Sequence, residues 1–342
     1  MRISGNPRFA SSRLIICMLF VCALAAQAQT DPLPSWNDGA AKQAIIKFVQ
    51  ATTNQASPSY VTPDQRFATF DQDGTTWVEH PMYTEMIFAF ERVKDLAPQH
   101  PEWRTTEPFK SIIAGNQAAM SKFTGKEFEE IFVATHTGMT TEAFQNIAKD
   151  WLSKARDERW HRPYTDLIYQ PMIEVMQYLR ANGYKTYIVT GGGQDFVRVY
   201  AQQVYGILPE EIIGSAVETQ YTYNKEGQGI LVRSAKGLLN NNFYGKPEDI
   251  YLFIGRHPKA AFGNSTGDQQ MLEYTQAGEG ANLEMIVLHD DGQREFAYGP
   301  AHGLPATDIG TFTQALYDEA KSKGWIVISM KNDWKRIFAW EK

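Results

Sequence analysis

The chain has 342 residues, 43% of them hydrophobic, and a formal net charge of −6. That length admits one large domain with an insertion, or two domains, and the composition excludes disorder on a large scale. The acidic balance excludes a non-specific nucleic-acid binder, which needs a basic footprint.

Residues 1–28 read as a secretory signal peptide. Arg2, Arg8 and Arg13 give a basic start, Leu14 to Ala26 is an apolar run, and Ala26-Gln27-Ala28 suits signal peptidase. The run is short for a membrane span and polar residues follow at once. Cleavage after Ala28 is expected, leaving no stable membrane anchor. Val21 before Cys22 argues against a lipoprotein. Cleavage removes both cysteines, Cys17 and Cys22, and takes the net charge from −6 to about −9. The exported chain, periplasmic or secreted, then folds on its core alone, without disulfides.

Residues 29–80 hold an N-terminal helix and the first core segment. Ile45, Ile46 and Val49 lie at helical spacing within 40–51, a loop rich in Ser, Pro and Thr runs to Pro63, and Phe67–Phe70 is a short apolar strand entering Asp71. Residues 81–164 read as helical. Met82, Met86, Phe90 and Val93 recur at helical spacing, as do Phe128, Ile131 and Phe132, then Phe144, Ile147, Ala148 and Trp151.

From 165 to 342 strands and helices alternate. A helix carrying Met172, Val175, Met176 and Leu179 stops at Asn182-Gly183. Tyr187–Val189 is a buried strand entering Thr190-Gly191-Gly192-Gly193. Segments 217–223 and 230–232 flank a turn and read as a hairpin. Ala260–Phe262 enters Gly263-Asn264-Ser265, and strands at 283–288 and 325–329 enclose a helix at 312–323. This alternation predicts an α/β fold with a doubly wound parallel sheet, whose sites form at the carboxyl ends of strands.

The strand-end loops carry the chemistry. Asp71-Gln72-Asp73-Gly74-Thr75 offers a carboxylate that can attack phosphorus and, two residues on, a second that can protonate a leaving oxygen and then activate water. Gly74 lets the chain turn away. Such an attack needs a cation between the two anions, and Mg²⁺ with its oxygen ligands suits it. Thr190 and the amides of Gly191 to Gly193 can donate to phosphate oxygens. A lysine brought close could hold both phosphate and Asp71, and Lys246 and Lys236 are the candidates. The scattered histidines show no zinc spacing, no GxSxG elbow occurs, and Gly191 to Gly193 is not a Walker loop.

These four pieces, in this order over about 67–272, resemble the haloacid dehalogenase (HAD) superfamily. They are Phe67 to Thr75, Val189 to Gly193, Gly245-Lys246-Pro247, and Gly263-Asn264-Ser265-Thr266-Gly267-Asp268. The resemblance implies a Rossmann-like core, and the 81–164 insertion is similar to the helical cap of phosphoserine-phosphatase-like members. It implies Asp71 as nucleophile, Asp73 as general acid/base, and Thr190 and Lys246 at the transferring phosphoryl group. Mg²⁺ would be held by Asp71, the Asp73 carbonyl, and Asn264 or Asp268. One departure stands out: Asn264 occupies the first acidic position of the fourth motif. The implied partner is a small phosphorylated metabolite, bound by Thr190, Gly191, Gly192 and Lys246, with Glu79 the best candidate for reaching the leaving group.

Trp77, His80, Tyr83 and Trp160 are further candidates for contact, as are Arg198 and Arg256 for phosphate. Two rival activities remain. Phosphonate cleavage would recruit a cap lysine from Lys94, Lys110, Lys122 and Lys126. A binding protein that kept the fold but lost turnover would accord with Asn264. Dehalogenation is disfavoured, because dehalogenases of the superfamily usually lack the second aspartate that Asp73 provides.

Overall fold

The computed structural model describes residues 1, 2, 5 and 31–341. The signal-peptide reading falls almost wholly outside them. The chain divides into Met1–Asp31 and a compact unit, Pro32–Lys342. No helix among the described residues is long and apolar enough to cross a membrane.

Seven strands form one sheet: β1 (Phe67–Phe70), β2 (Lys185–Gly193), β3 (Ile212–Tyr223), β4 (Gly229–Leu239), β5 (Ala260–Gly263), β6 (Leu283–Leu288) and β7 (Ile326–Ser329). Their order is β4-β3-β2-β1-β5-β6-β7. Every pairing is parallel except β3 with β4. The expected hairpin is therefore present, but its first strand is longer than the weak alternation of 217–223 suggested. Ile212–Gly214 pairs parallel with Ile188–Thr190 inside the sheet before the strand leaves to form the hairpin. A continuous apolar start followed by an exposed polar half hides such a strand from a period-two reading.

The sheet is covered on both faces, and side-chain alternation sorts the residues. Ala68, Phe70, Ile188, Ile212, Ala260, Phe262, Met285 and Val287 face one core. Against them pack α1 (Ala40–Thr53), through Ile45 and Val49, and the Gln170–Ala181 helix, through Met172, Val175 and Met176. Phe67, Val189, Ile213, Ala261 and Ile286 face a second core, with Ile250, Met271, Leu272, Leu316 and Ala320 from three later helices. Period-two geometry forces this division. Phe70 and Phe262 stack with ring centroids 4.4 Å apart, tying the central strands together below their carboxyl ends.

Between β1 and the Gln170–Ala181 helix lie five helices: α2 (Thr84–Leu96), α3 (Phe109–Ile113), α4 (Gln117–Met120), α5 (Gly125–His136) and α6 (Thr141–Lys154). Met86, Phe90, Val93, Trp103, Ile112 and Ile131 bury one another in a third core. The fifth helix behaves differently. Phe144, Ala148 and Leu152 of α6 belong to the main core. The part of the insertion with a core of its own therefore ends near the close of α5.

Candidate functional site

The chain runs from β1 out to β2 and β3, then returns to place β5 on the other side of β1. Loops leaving β1 and β5 diverge at that switch point and leave a crevice. A cavity of about 200 Å³ lies there, lined from the core by Asp71, Asp73, Glu79, Thr190, Gly191, Gly192, Lys246, Ser265 and Asp268. Tyr83, Glu85, Met86 and Phe132 line it from the helical insertion. Asn264 is buried but does not line the cavity.

Asp71 follows β1 directly, and its amide donates to the Phe262 carbonyl at 2.9 Å. Lys246 stands in the first turn of the Gly245–Ile254 helix and is 1% exposed. Its ammonium donates to Asp71 Oδ1, to Asp268 Oδ1 at 2.6 Å and to the Val189 carbonyl at 2.8 Å. Burial pulls its pKa down, but the two aspartates outweigh this and hold it above the usual lysine value. Lys236, the rival on β4, pairs instead with Glu218.

Asp268 has both oxygens engaged by protein. Oδ1 takes Lys246, and Oδ2 accepts from the amides of Asn264 at 2.9 Å and Ser265 at 3.0 Å. Thr75 Oγ1 lies 3.3 Å from Asp71 Oδ2 and 3.2 Å from Asn264 Oδ1, so those two oxygens converge on one hydroxyl. Glu79 Oε1 accepts from Asn264 Nδ2 at 2.7 Å and from the Tyr298 hydroxyl at 2.8 Å.

The acids outnumber the one lysine, and their pKa values respond. Burial, with Asp268 alongside, pushes Asp71 up to about 7 against the pull of Lys246. Burial also raises Asp73 to about 7, although Trp77 Nε1 donates to its Oδ1 at 2.7 Å. Glu79 is driven well above the carboxylate range, first by burial and then by Asp73, Asp71 and Asp268. Such a concentration of unneutralised carboxyl groups around one cavity suits a divalent cation. Among the described residues no three His, Cys, Asp or Glu side chains form a ready metal cluster. The cavity's carboxylate oxygens are of the hard kind that Mg²⁺ takes, with water and substrate completing its shell.

Thr190 ends the buried part of β2, and Gly192 N donates to its hydroxyl at 3.0 Å. The other sequence candidates divide between the cavity and its surroundings. Trp77 is buried and stacks on Tyr200. Tyr83 reaches the cavity, and its hydroxyl accepts from Gly310 N. His80 stacks on Tyr298, and Trp160 packs against Phe296 and Phe338. Arg198 pairs with Asp195, and Arg256 donates to the Asp64 carbonyl. Of the lysines, Lys246 lines the cavity; Lys94, Lys110, Lys122 and Lys126 do not.

Several residues of the site escaped the sequence reading. Glu85 on α2 accepts from Gly193 N at 2.7 Å and lies 3.6 Å from His136 Nε2. His289 donates Nε2 to the Gly74 carbonyl at 2.7 Å, with Glu295 Oε2 3.0 Å from Nδ1. His289 follows β6 directly, so the strand-end rule could have flagged it. Glu85 carries no such signal, being one acid on an amphipathic helix.

A sheet of this topology, with an aspartate pair, a lysine and a threonine at its switch point, defines the strand-end site of a doubly wound α/β protein. A family model described as haloacid dehalogenase-like hydrolase matches residues 66–238, just over half of the chain, and the chain belongs to that family. A comparison with curated proteins gave no match. A conserved protein of unknown function from Anaerococcus prevotii shares the fold at 16% identity, over 73% of this chain and 86% of that one, with a TM-score of 0.52. A protein of unknown function from Bordetella pertussis is 15% identical over 77% of this chain and 98% of that one, TM-score 0.46. A phosphoserine phosphohydrolase-like protein from Francisella tularensis is 16% identical over 66% and 88%, TM-score 0.36.

Proposed function

We propose that this hydrolase is an exported, Mg²⁺-dependent phosphatase acting on small phosphomonoesters. One observation carries the reading: Asp71 and Asp73, two residues apart at the end of β1, line one cavity with Thr190, and Lys246 binds Asp71 directly. The family and the helical insertion over the strand ends support it.

Asp71 attacks phosphorus, the bond to the leaving oxygen breaks, and Asp73 supplies that oxygen with a proton. Asp73 then takes a proton from water, whose oxygen displaces Asp71 from the aspartyl-phosphate and frees inorganic phosphate. An Asp73 pKa of about 7 suits both transfers at neutral pH. Lys246, Thr190 and the Gly191-Gly192 end of β2 hold the phosphoryl oxygens. Asp71 and the Asp73 carbonyl would hold Mg²⁺ against the fourth-motif loop of Asn264, and the ion would supply the positive charge that lets carboxylate and phosphate approach. Asp268 positions Lys246. Tyr83, Met86 and Phe132 reach the cavity from the insertion, acting as a cap that excludes surplus water.

Phosphate release from p-nitrophenyl phosphate and a panel of phosphomonoesters, with and without Mg²⁺, tests the reading. Metal-dependent turnover that disappears in Asp71→Asn is expected. Equal inactivity of both proteins across the panel would overturn the reading in favour of a binding protein.

A further inference from the structure

The acid missing at Asn264 has a counterpart close by. The chain turns back at Gly74, whose amide donates to the Trp77 carbonyl at 2.9 Å, and this return carries Glu79 to the fourth-motif loop. There Asn264 Nδ2 and the Tyr298 hydroxyl both donate to one carboxylate oxygen. Glu79 is 2% exposed and lines the cavity with Asp71 and Asp73, whereas Asn264 stands behind the wall. Two glycines make room for it. A Cβ at Gly74 would lie 2.3 Å from Glu79 Oε1, and one at Gly310 only 1.7 Å away.

From this geometry we infer that Glu79 is the carboxylate ligand that brings the fourth-motif negative charge to Mg²⁺, with Asn264 holding it in place. The inference rests on the phosphatase reading for the presence of Mg²⁺, but it concerns one charge within the site. An aspartate at 264 would set two acids against each other, and a neutral asparagine donates a hydrogen bond instead. Glu79 thus leaves the role of leaving-group contact for that of cation ligand.

Isothermal titration with Mg²⁺ on purified Glu79→Gln and on Glu79→Gln/Asn264→Asp tests it without any turnover. Glu79→Gln weakens Mg²⁺ binding by about a hundredfold or more, beyond the roughly 10–100-fold that outer-shell substitutions cost. Adding Asn264→Asp restores most of that loss, because the charge returns from the neighbouring position. Wild-type affinity in Glu79→Gln, or no restoration in the double variant, overturns the inference and leaves the phosphatase reading standing. Absence of Mg²⁺ binding by the wild-type protein overturns both. Should Glu79→Gln not fold, Asn264→Asp gives the second reading: its metal-free Tm falls and Mg²⁺ raises it by more than in wild type. Equal Mg²⁺-induced shifts overturn the inference.

Discussion

Lys246 Nζ lies 2.6 Å from Asp268 Oδ1, joining the helix that follows the hairpin to the loop after β5 across the floor of the cavity. The same ammonium reaches Asp71, so one buried cation neutralises two acids from different motifs. Lys246→Ala leaves both acids buried without that partner. Removing one member of a buried pair costs about 3–5 kcal/mol. Urea unfolding monitored by circular dichroism is expected to show a lower midpoint with little change in slope, together with lost phosphatase activity. An unchanged midpoint would mean that water replaces the ammonium.

The two aspartates differ in what their loss does. Asp71→Asn removes the attacking oxygen, so no phosphoenzyme forms. Asp73→Asn keeps the nucleophile but loses proton transfer, and kcat is expected to fall by about 10²–10⁴-fold. Substrates with good leaving groups need the acid least. Rapid-quench measurement of the aspartyl-phosphate with p-nitrophenyl phosphate should therefore find it in Asp73→Asn and not in Asp71→Asn.

Asp73 also links stability to pH. In the unfolded chain an aspartate ionises near about 3.9, whereas in the folded protein burial raises Asp73 to about 7. Between these values the folded state keeps a proton that the unfolded state has lost, so stability drops as pH rises, levelling above 7. Asp73→Asn removes this dependence. In EDTA, the Tm advantage of the variant over wild type should be small at pH 4, grow to pH 7 and then level. A constant difference from pH 4 to 8 would contradict the raised value.

Gly310 has φ +62° and sits against Glu79. Gly310→Ala meets both the left-handed strain of a side chain and the collision with Glu79 Oε1. A loss of about 1–3 kcal/mol is expected. Thermal melts should show this, and Mg²⁺ titration should show weaker binding, because the displaced group is Glu79. Gly280 has φ +79° with open space around its Cβ position. Gly280→Ala is the control for strain alone and should leave Mg²⁺ affinity unchanged.

Much of this protein is legible locally. The run Phe67–Phe70 into Asp71 reads as a strand ending in a site because a short, mostly apolar run precedes an acid and a glycine turn. Thr190, Lys246 and Asp268 follow from the same rule and from the order of the motifs. The extension of β3 into the sheet, and the packing of α6 against the main core, were not legible. Both depend on what lies opposite the segment rather than on its own periodicity. The engagement of Asp268 by Lys246 and by the amides of Asn264 and Ser265 was equally closed to sequence, since it turns on which groups meet in space.

The sequence by itself determined that an aspartate pair ends a central strand of an α/β sheet, because strand, turn and acid are neighbours along the chain. Only the tertiary structure decided which groups surround that pair. Glu79 meets Asn264 across 185 positions and Tyr298 across 219. His289 meets the Gly74 carbonyl across 215. Those meetings are set by the strand order at the switch point, and charge neutralisation in a buried cavity acts through space, not along the chain.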